Sequence, residues 1–231
     1  MKLHTETIGD GDKHAALVHG ISGNGETWFE LAPWIAEHGY TVTMVDQRGH
    51  GKSGRADTYT ADDLADDLVE TLPQGLDLII GHSLGGRTLA LAVDRLRPQR
   101  AIYLDPGWDI PADLVLEVPR NDDGSIIDAD RFLELFPGRS RAQAEQAVRS
   151  WADFDVSMIS PPHFPIPSMA PAEHPVVPSL VVVPDSTTVV LPPLQERLQA
   201  GGYTLRVIPN AQHDLHVDNL PETKQAVEDW L

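Results

Sequence analysis

Leu78-Ile79-Ile80-Gly81-His82-Ser83-Leu84-Gly85-Gly86 reads as an apolar strand that passes through G-x-S-x-G straight into a helix. A chain that turns this sharply holds its central residue in a strained backbone, and side chains two positions either side would collide, which is why Gly81 and Gly85 flank Ser83. The turn lifts the Ser83 hydroxyl out of the sheet and aims the first amides of the next helix at any oxyanion forming beside it. Leu84 to Arg97 carries that helix up to Pro98, which stops it.

Outward from this turn, short β-branched runs alternate with helical patterns. The strands are expected at Ala15–Val18, Thr41–Val45, Leu76–Ile80, Ala101–Leu104, Leu180–Val183 and Thr204–Ile208, with Lys2–Ile8 as an antiparallel edge. Near-continuous apolarity implies burial on both faces, so the fold class is α/β, a mostly parallel sheet flanked by helices. Thr60 and Asp63 have capping-box spacing, Leu64, Leu68 and Leu72 repeat every four residues, and Pro73 and Gly75 end that helix. At the other end Pro221 suits a first helical position and Val227, Trp230 and Leu231 form a stripe. The alternation breaks after Pro106. Residues 1–106 and 178–231 are therefore expected to form the core domain and 107–177 an inserted cap, helical at Asp128–Phe136 and Arg141–Asp153 and Pro-dense from Ser160 to Pro178.

The 231 residues carry 17 Lys+Arg against 35 Asp+Glu, a net charge of −18, which argues against a nucleic-acid partner. No cysteine is present, so thiolate nucleophiles, disulfides and Cys-dependent zinc sites are excluded. No apolar run approaches the ~18 residues that span a bilayer, and the first residues lack a signal-peptide core, so a cytoplasmic protein without a membrane partner is expected.

A serine nucleophile needs a base. His213 follows the strand Thr204–Ile208 through a short loop at the carboxyl edge of the sheet, the edge at which Ser83 emerges. In His213-Asp214-Leu215-His216 two imidazoles stand three apart, but no third ligand cluster accompanies them and no metal or cofactor is expected. Gly51-Lys52-Ser53 ends like a phosphate-binding loop, yet Asp46 stands where that motif needs Gly, which rejects the nucleotide reading.

Four segments in order, His19-Gly20-Ile21, Asp46-Gln47-Arg48-Gly49-His50-Gly51-Lys52-Ser53, the Ser83 turn and Asn210 to His216, resemble the α/β-hydrolase family over nearly the whole chain. The resemblance implies a Ser-His-acid triad with oxyanion donors at the backbone N–H groups of Ile21 and Leu84. It implies an acid after the penultimate strand, where Thr187 occupies the usual position and Asp185 comes two residues early. A subset of the family carries the acid one strand sooner, at Asp105. Asp185 is preferred, since the 28 residues to His213 suit one helix and one strand, with Asp105 as the alternative.

The implied activity is cleavage of small to medium apolar esters or lactones through an acyl-enzyme. A noncatalytic receptor on the same fold, and lyase, C–C hydrolase or perhydrolase chemistry with the same triad, remain alternatives. Trp28, His82 and Trp108 are candidate substrate contacts, with Phe29, Met158, Phe164 and Met169 as further apolar lining. Asp105 to Asp155 holds twelve carboxylates against five Arg, a charge expected to favour neutral substrates.

Overall fold

The computed structural model describes residues 1–111, 113–164 and 166–231. Seven strands form one sheet: β1 (Thr5–Ile8), β2 (Lys13–Val18), β3 (Tyr40–Val45), β4 (Leu78–His82), β5 (Arg100–Leu104), β6 (Ser179–Pro184) and β7 (Thr204–Ile208), in the order β1-β3-β2-β4-β5-β6-β7. Only β1 is antiparallel, paired with β3, and each expected strand is present within about two residues of its expected ends, save the edge strand, which starts at Thr5 instead of Lys2.

Alternation along the inner strands separates two cores. Ala16, Val18, Ile79 and Val181 face one side with Leu68, Leu89 and Leu96, while Ala15, Leu17, Leu78, Ile80 and Val182 face the other with Trp28, Leu31 and Ile35. Every one of these residues is buried, as a sheet covered on both faces requires. The covering helices are α1 (Leu31–Glu37), α2 (Ala61–Thr71), α3 (Leu84–Leu96), α6 (Pro192–Gly201), α7 (Leu215–Asp218) and α8 (Leu220–Val227), with α4 (Ala129–Leu135) and α5 (Arg141–Ala152) in the insertion. Helix α2 starts on the expected box: Thr60 Oγ1 accepts from Asp63 N, and Asp63 accepts from Thr60 N, both at 3.1 Å.

Strand order reverses between β2 and β4, so the loops after them diverge and open a crevice at the carboxyl edge. The insertion between β5 and β6 lies over that crevice. Phe132, Ala129 and Ala144 give α4 and α5 a small core of their own, and Phe154, Met158 and Val118 pack on Leu84 and Tyr59 below. Polar contacts tie α5 to the β2 loop: Gln146 donates to Asn24 Oδ1 at 3.3 Å and Gln143 to Glu30 at 2.8 Å. The Pro-dense tail forms turns and no regular element among its described residues; Pro165, within it, lies outside them. No described helix is long and apolar enough to cross a membrane.

Candidate active site

Ser83 sits between β4 and α3 at φ 49°, ψ −112°, a conformation that an L residue adopts only at a cost of about 1–3 kcal/mol. The glycines around it have no room for a side chain. A Cβ on Gly85 would lie 2.1 Å from Val18 O, and one on Gly81 2.5 Å from Gly85 O. The close approach brings α3 against the end of β2 and sets the Ser83 hydroxyl at the crevice.

Ser83 Oγ donates to His213 Nε2 at 3.0 Å, and His213 Nδ1 donates to Asp105 Oδ2 at 2.6 Å. Asp105, the first residue beyond β5, is buried to 1% exposure and also holds a positive φ, 37°. Its second oxygen accepts from Thr187 Oγ1 at 2.5 Å. Thr187 in turn accepts from Val189 N and Val190 N, which leaves its proton for Asp105.

Asp185, the preferred acid, does not meet His213. Strand β6 keeps its register one residue longer than that reading assumed: Pro184 still pairs with Ile208, and Asp185 N donates to Ile208 O at 3.1 Å. The Asp185 carboxylate is exposed and accepts from Asn210 N at 3.0 Å, closing the loop that delivers His213. The carboxylate partner of His213 is the alternative, Asp105, and the position where the resemblance expects an acid holds the threonine that supports it.

Ile21 and Leu84 both border the cavity in front of Ser83, and neither backbone N–H has a protein acceptor among the described residues. The loop bearing Ile21 is held from behind by two histidines. His19 Nδ1 donates to Gly20 O at 2.7 Å while its Nε2 accepts from Gln47 N, and His50 Nε2 accepts from Ser22 N at 3.1 Å. Both rings must be neutral to accept, and burial keeps them so, with the His50 pKa lowered to about 3. The Asp46 turn is a brace as well. Asp46 accepts from Gly25 N and Lys52 N, and Arg48 makes a two-pronged buried pair with Asp67. Removing one member of such a pair costs about 3–5 kcal/mol.

His82, a candidate substrate contact, borders the cavity while its Nε2 donates to His213 O at 3.0 Å; burial lowers its pKa to about 4. Trp28 and Trp108 are not cavity residues. Trp28 is fully buried beneath the site with its ring centroid 4.1 Å from that of His216, and Trp108 is fully buried against Tyr103 and Tyr203. These two largest side chains fill the space behind the strand ends, where their apolar area is worth more than at a wet wall. Phe164 does line the cavity, Met158 and Met169 pack against core, and Phe29 is exposed on another face.

Burial pulls the His213 pKa down, but the hydrogen bond to Asp105 and the charges of Asp214, Asp105 and Asp218 outweigh it and leave it raised. Burial pushes Asp214 up, and His82, His213 and Arg139 together hold it well below the carboxylate range. Ligand atoms of His82, His213 and Asp214 lie within 4.8 Å of one another, yet His213 is engaged by Asp105 and Ser83, and Asp214 by Arg139 at 2.7 Å. His216 points away, into the packing against Trp28 and His82.

Two cavities meet at this point and share Gly20, Ile21, His82 and Asp214. One of about 330 Å³ contains Ser83 and His213 and is walled by Leu84, Leu114, Leu116 and Phe164. The other, about 180 Å³, reaches under α5 to Gln146, Ser150 and Arg139. The sequence reading missed Thr187 as a support, Arg139 and Gln146 as polar walls, and Arg87, a cation in the first turn of an otherwise apolar helix.

Residues 16–226 match the Alpha/beta hydrolase family. The chain is 36% identical over 95 residues to a pimeloyl-[acyl-carrier protein] methyl ester esterase of Klebsiella pneumoniae, covering 41% of this chain and 36% of that protein. It is 33% identical over 144 residues to a 2-(acetamidomethylene)succinate hydrolase of Mesorhizobium japonicum, covering 58% and 51%. The matches thus span about a third to a half of these relatives. In structure it is similar to an N-formylmaleamic acid deformylase of Pseudomonas putida S16, with TM-score 0.79, 22% identity and coverage of 97% of this chain and 96% of that one. A family match over nearly the whole length agrees with the strand order, the glycine-flanked serine and the crevice at the reversal of the sheet: the chain belongs to the alpha/beta hydrolase family.

Proposed function

We propose that this protein is a serine hydrolase that cleaves carboxylic esters or lactones of small to medium, largely apolar substrates, with residues 107–177 as a cap over the site. The observation that carries the reading is the hydrogen-bonded series Ser83, His213, Asp105 opening on a mostly apolar cavity of about 330 Å³. Likeness to a methyl ester esterase further supports ester cleavage.

In this mechanism His213 takes the Ser83 proton, Ser83 attacks the carbonyl, and the amides of Ile21 and Leu84 hold the tetrahedral oxyanion. His213, its imidazolium stabilised by Asp105, then protonates the leaving alcohol. Water is activated by the same imidazole and releases the acid.

A panel of p-nitrophenyl esters of rising chain length, run beside simple lactones, tests the proposal. Wild type is expected to turn over short and medium chains and to be labelled at Ser83 by a fluorophosphonate, with Ser83→Ala losing both. Asp105→Asn is expected to lose about 10⁴-fold in kcat, and Asp185→Asn less than about tenfold. Folded wild-type protein that takes no label would overturn the reading.

A further inference from the structure

Arg87 is the fourth residue of α3, one helical turn after Ser83, and borders the same cavity. It is only 5% exposed. One guanidinium nitrogen donates to Gly107 O at a long 3.3 Å, and its Nε, fully enclosed, has no hydrogen-bond partner. No carboxylate lies within ion-pair distance of it among the described residues.

That isolation stands out in this chain. With 35 carboxylates to 17 Lys and Arg, acidic partners are in surplus, and the other inward-facing arginines have them: Arg48 has Asp67, and Arg139 has Asp214 and Asp218. Burial without a counter-charge costs stability, and the first turn of a helix, at the positive end of its dipole, is the least favourable place for a cation. The guanidinium can present two parallel N–H groups to a planar anion, which an ammonium cannot.

We propose that Arg87 is the anion-binding residue of the Ser83 cavity, so that the substrate is an ester whose apolar body carries a carboxylate, seated on Arg87. This rests on the serine hydrolase reading and narrows it: Leu84, Leu114 and Phe164 take the hydrocarbon, and Arg87 takes the carboxylate.

The test compares wild type, Arg87→Met and Arg87→Lys on two series. One is the monoethyl esters of succinate, glutarate and adipate, with the carboxylate on the acyl side. The other is butyryl esters of short hydroxy acids, with the carboxylate on the alcohol side. Each is paired with the same ester whose carboxylate is a primary amide. Wild type is expected to prefer the carboxylate at least about tenfold in kcat/KM in one series, a ratio that Arg87→Met brings near one and Arg87→Lys partly keeps. Arg87→Met is also expected to melt at or above the wild-type temperature, since it removes an uncompensated buried charge. No wild-type preference in either series, or an Arg87→Met that slows charged and amide esters alike and melts lower, overturns the proposal. If Arg87→Met does not fold, the wild-type ratios and competitive inhibition by free glutarate over glutaramide decide it. Fluorophosphonate labelling keeps the two readings apart: labelled Ser83 without a carboxylate preference fails this inference alone, whereas an unlabelled Ser83 fails the hydrolase reading beneath it.

Discussion

At the scale of single residues, His213 carries conflicting influences that have a measurable sum. Burial disfavours its cation, while Asp105, Asp214 and Asp218 favour it and prevail. Because the proposed base must be neutral, kcat/KM is expected to fall on the acid side with a midpoint above the ordinary imidazole value of about 6.5. Asp214→Asn removes one of the raising charges and is expected to move that limb to lower pH. An unchanged or upward-moving limb would show that Asp214 does not act on His213. The same residue scale explains why the sequence favours Asp185 while the structure places Asp105 against His213. Asp185 and Asp105 both end apolar strands, and nothing local distinguishes them; the choice depends on how far β6 stays paired with β7 before the chain turns.

Among the elements, the junction of β4 and α3 was legible because part of its constraint is steric and local, a Cβ on Gly81 meeting Gly85 O at 2.5 Å, even though Gly85 and Gly86 are also hemmed in by distant segments. Gly81, Gly85 and Gly86 each stand where a Cβ would meet backbone or Pro106 at under 3 Å. Gly85→Ala is therefore expected to lower the melting temperature sharply or to prevent folding, since Val18 O belongs to a central strand and cannot move aside. Gly138→Ala, where a Cβ would meet nothing within 4 Å, is the control and should leave it nearly unchanged. Equal melting temperatures for the two variants would contradict the packing described. The capping box of α2 and the helices α4 and α5 were also readable, from spacing that concerns only neighbouring residues. Helix α1 and the 3₁₀ turn at Gly25–Trp28 were not anticipated, because they are short and held by tertiary contacts such as Asp46 to Gly25 N.

For the whole molecule, the charge of −18 surrounds a cavity bordered by Arg87, which has no carboxylate within ion-pair distance among the described residues. Long-range repulsion acts on approach and is screened by salt, whereas the buried contact to Arg87 is screened little. For an anionic ester kcat/KM is expected to rise several-fold between about 20 and 300 mM NaCl, and for a neutral p-nitrophenyl ester to stay flat. A salt-independent rate on the anionic ester would mean that the acidic surface does not act on substrate approach.

The sequence by itself determined the strand-helix alternation, the parallel sheet, the serine turn and the histidine loop, because each follows from periodicity, chain stiffness or clashes between residues close along the chain. Only the tertiary structure decided which carboxylate meets His213, that Trp28 and Trp108 fill the core instead of lining the cavity, and that Arg87 has no counter-charge among the described residues. Those outcomes depend on contacts between segments far apart in the chain, Asp105 with His213 or Thr187 with Asp105, whose distances are set by strand register and by how side chains share a fixed interior volume.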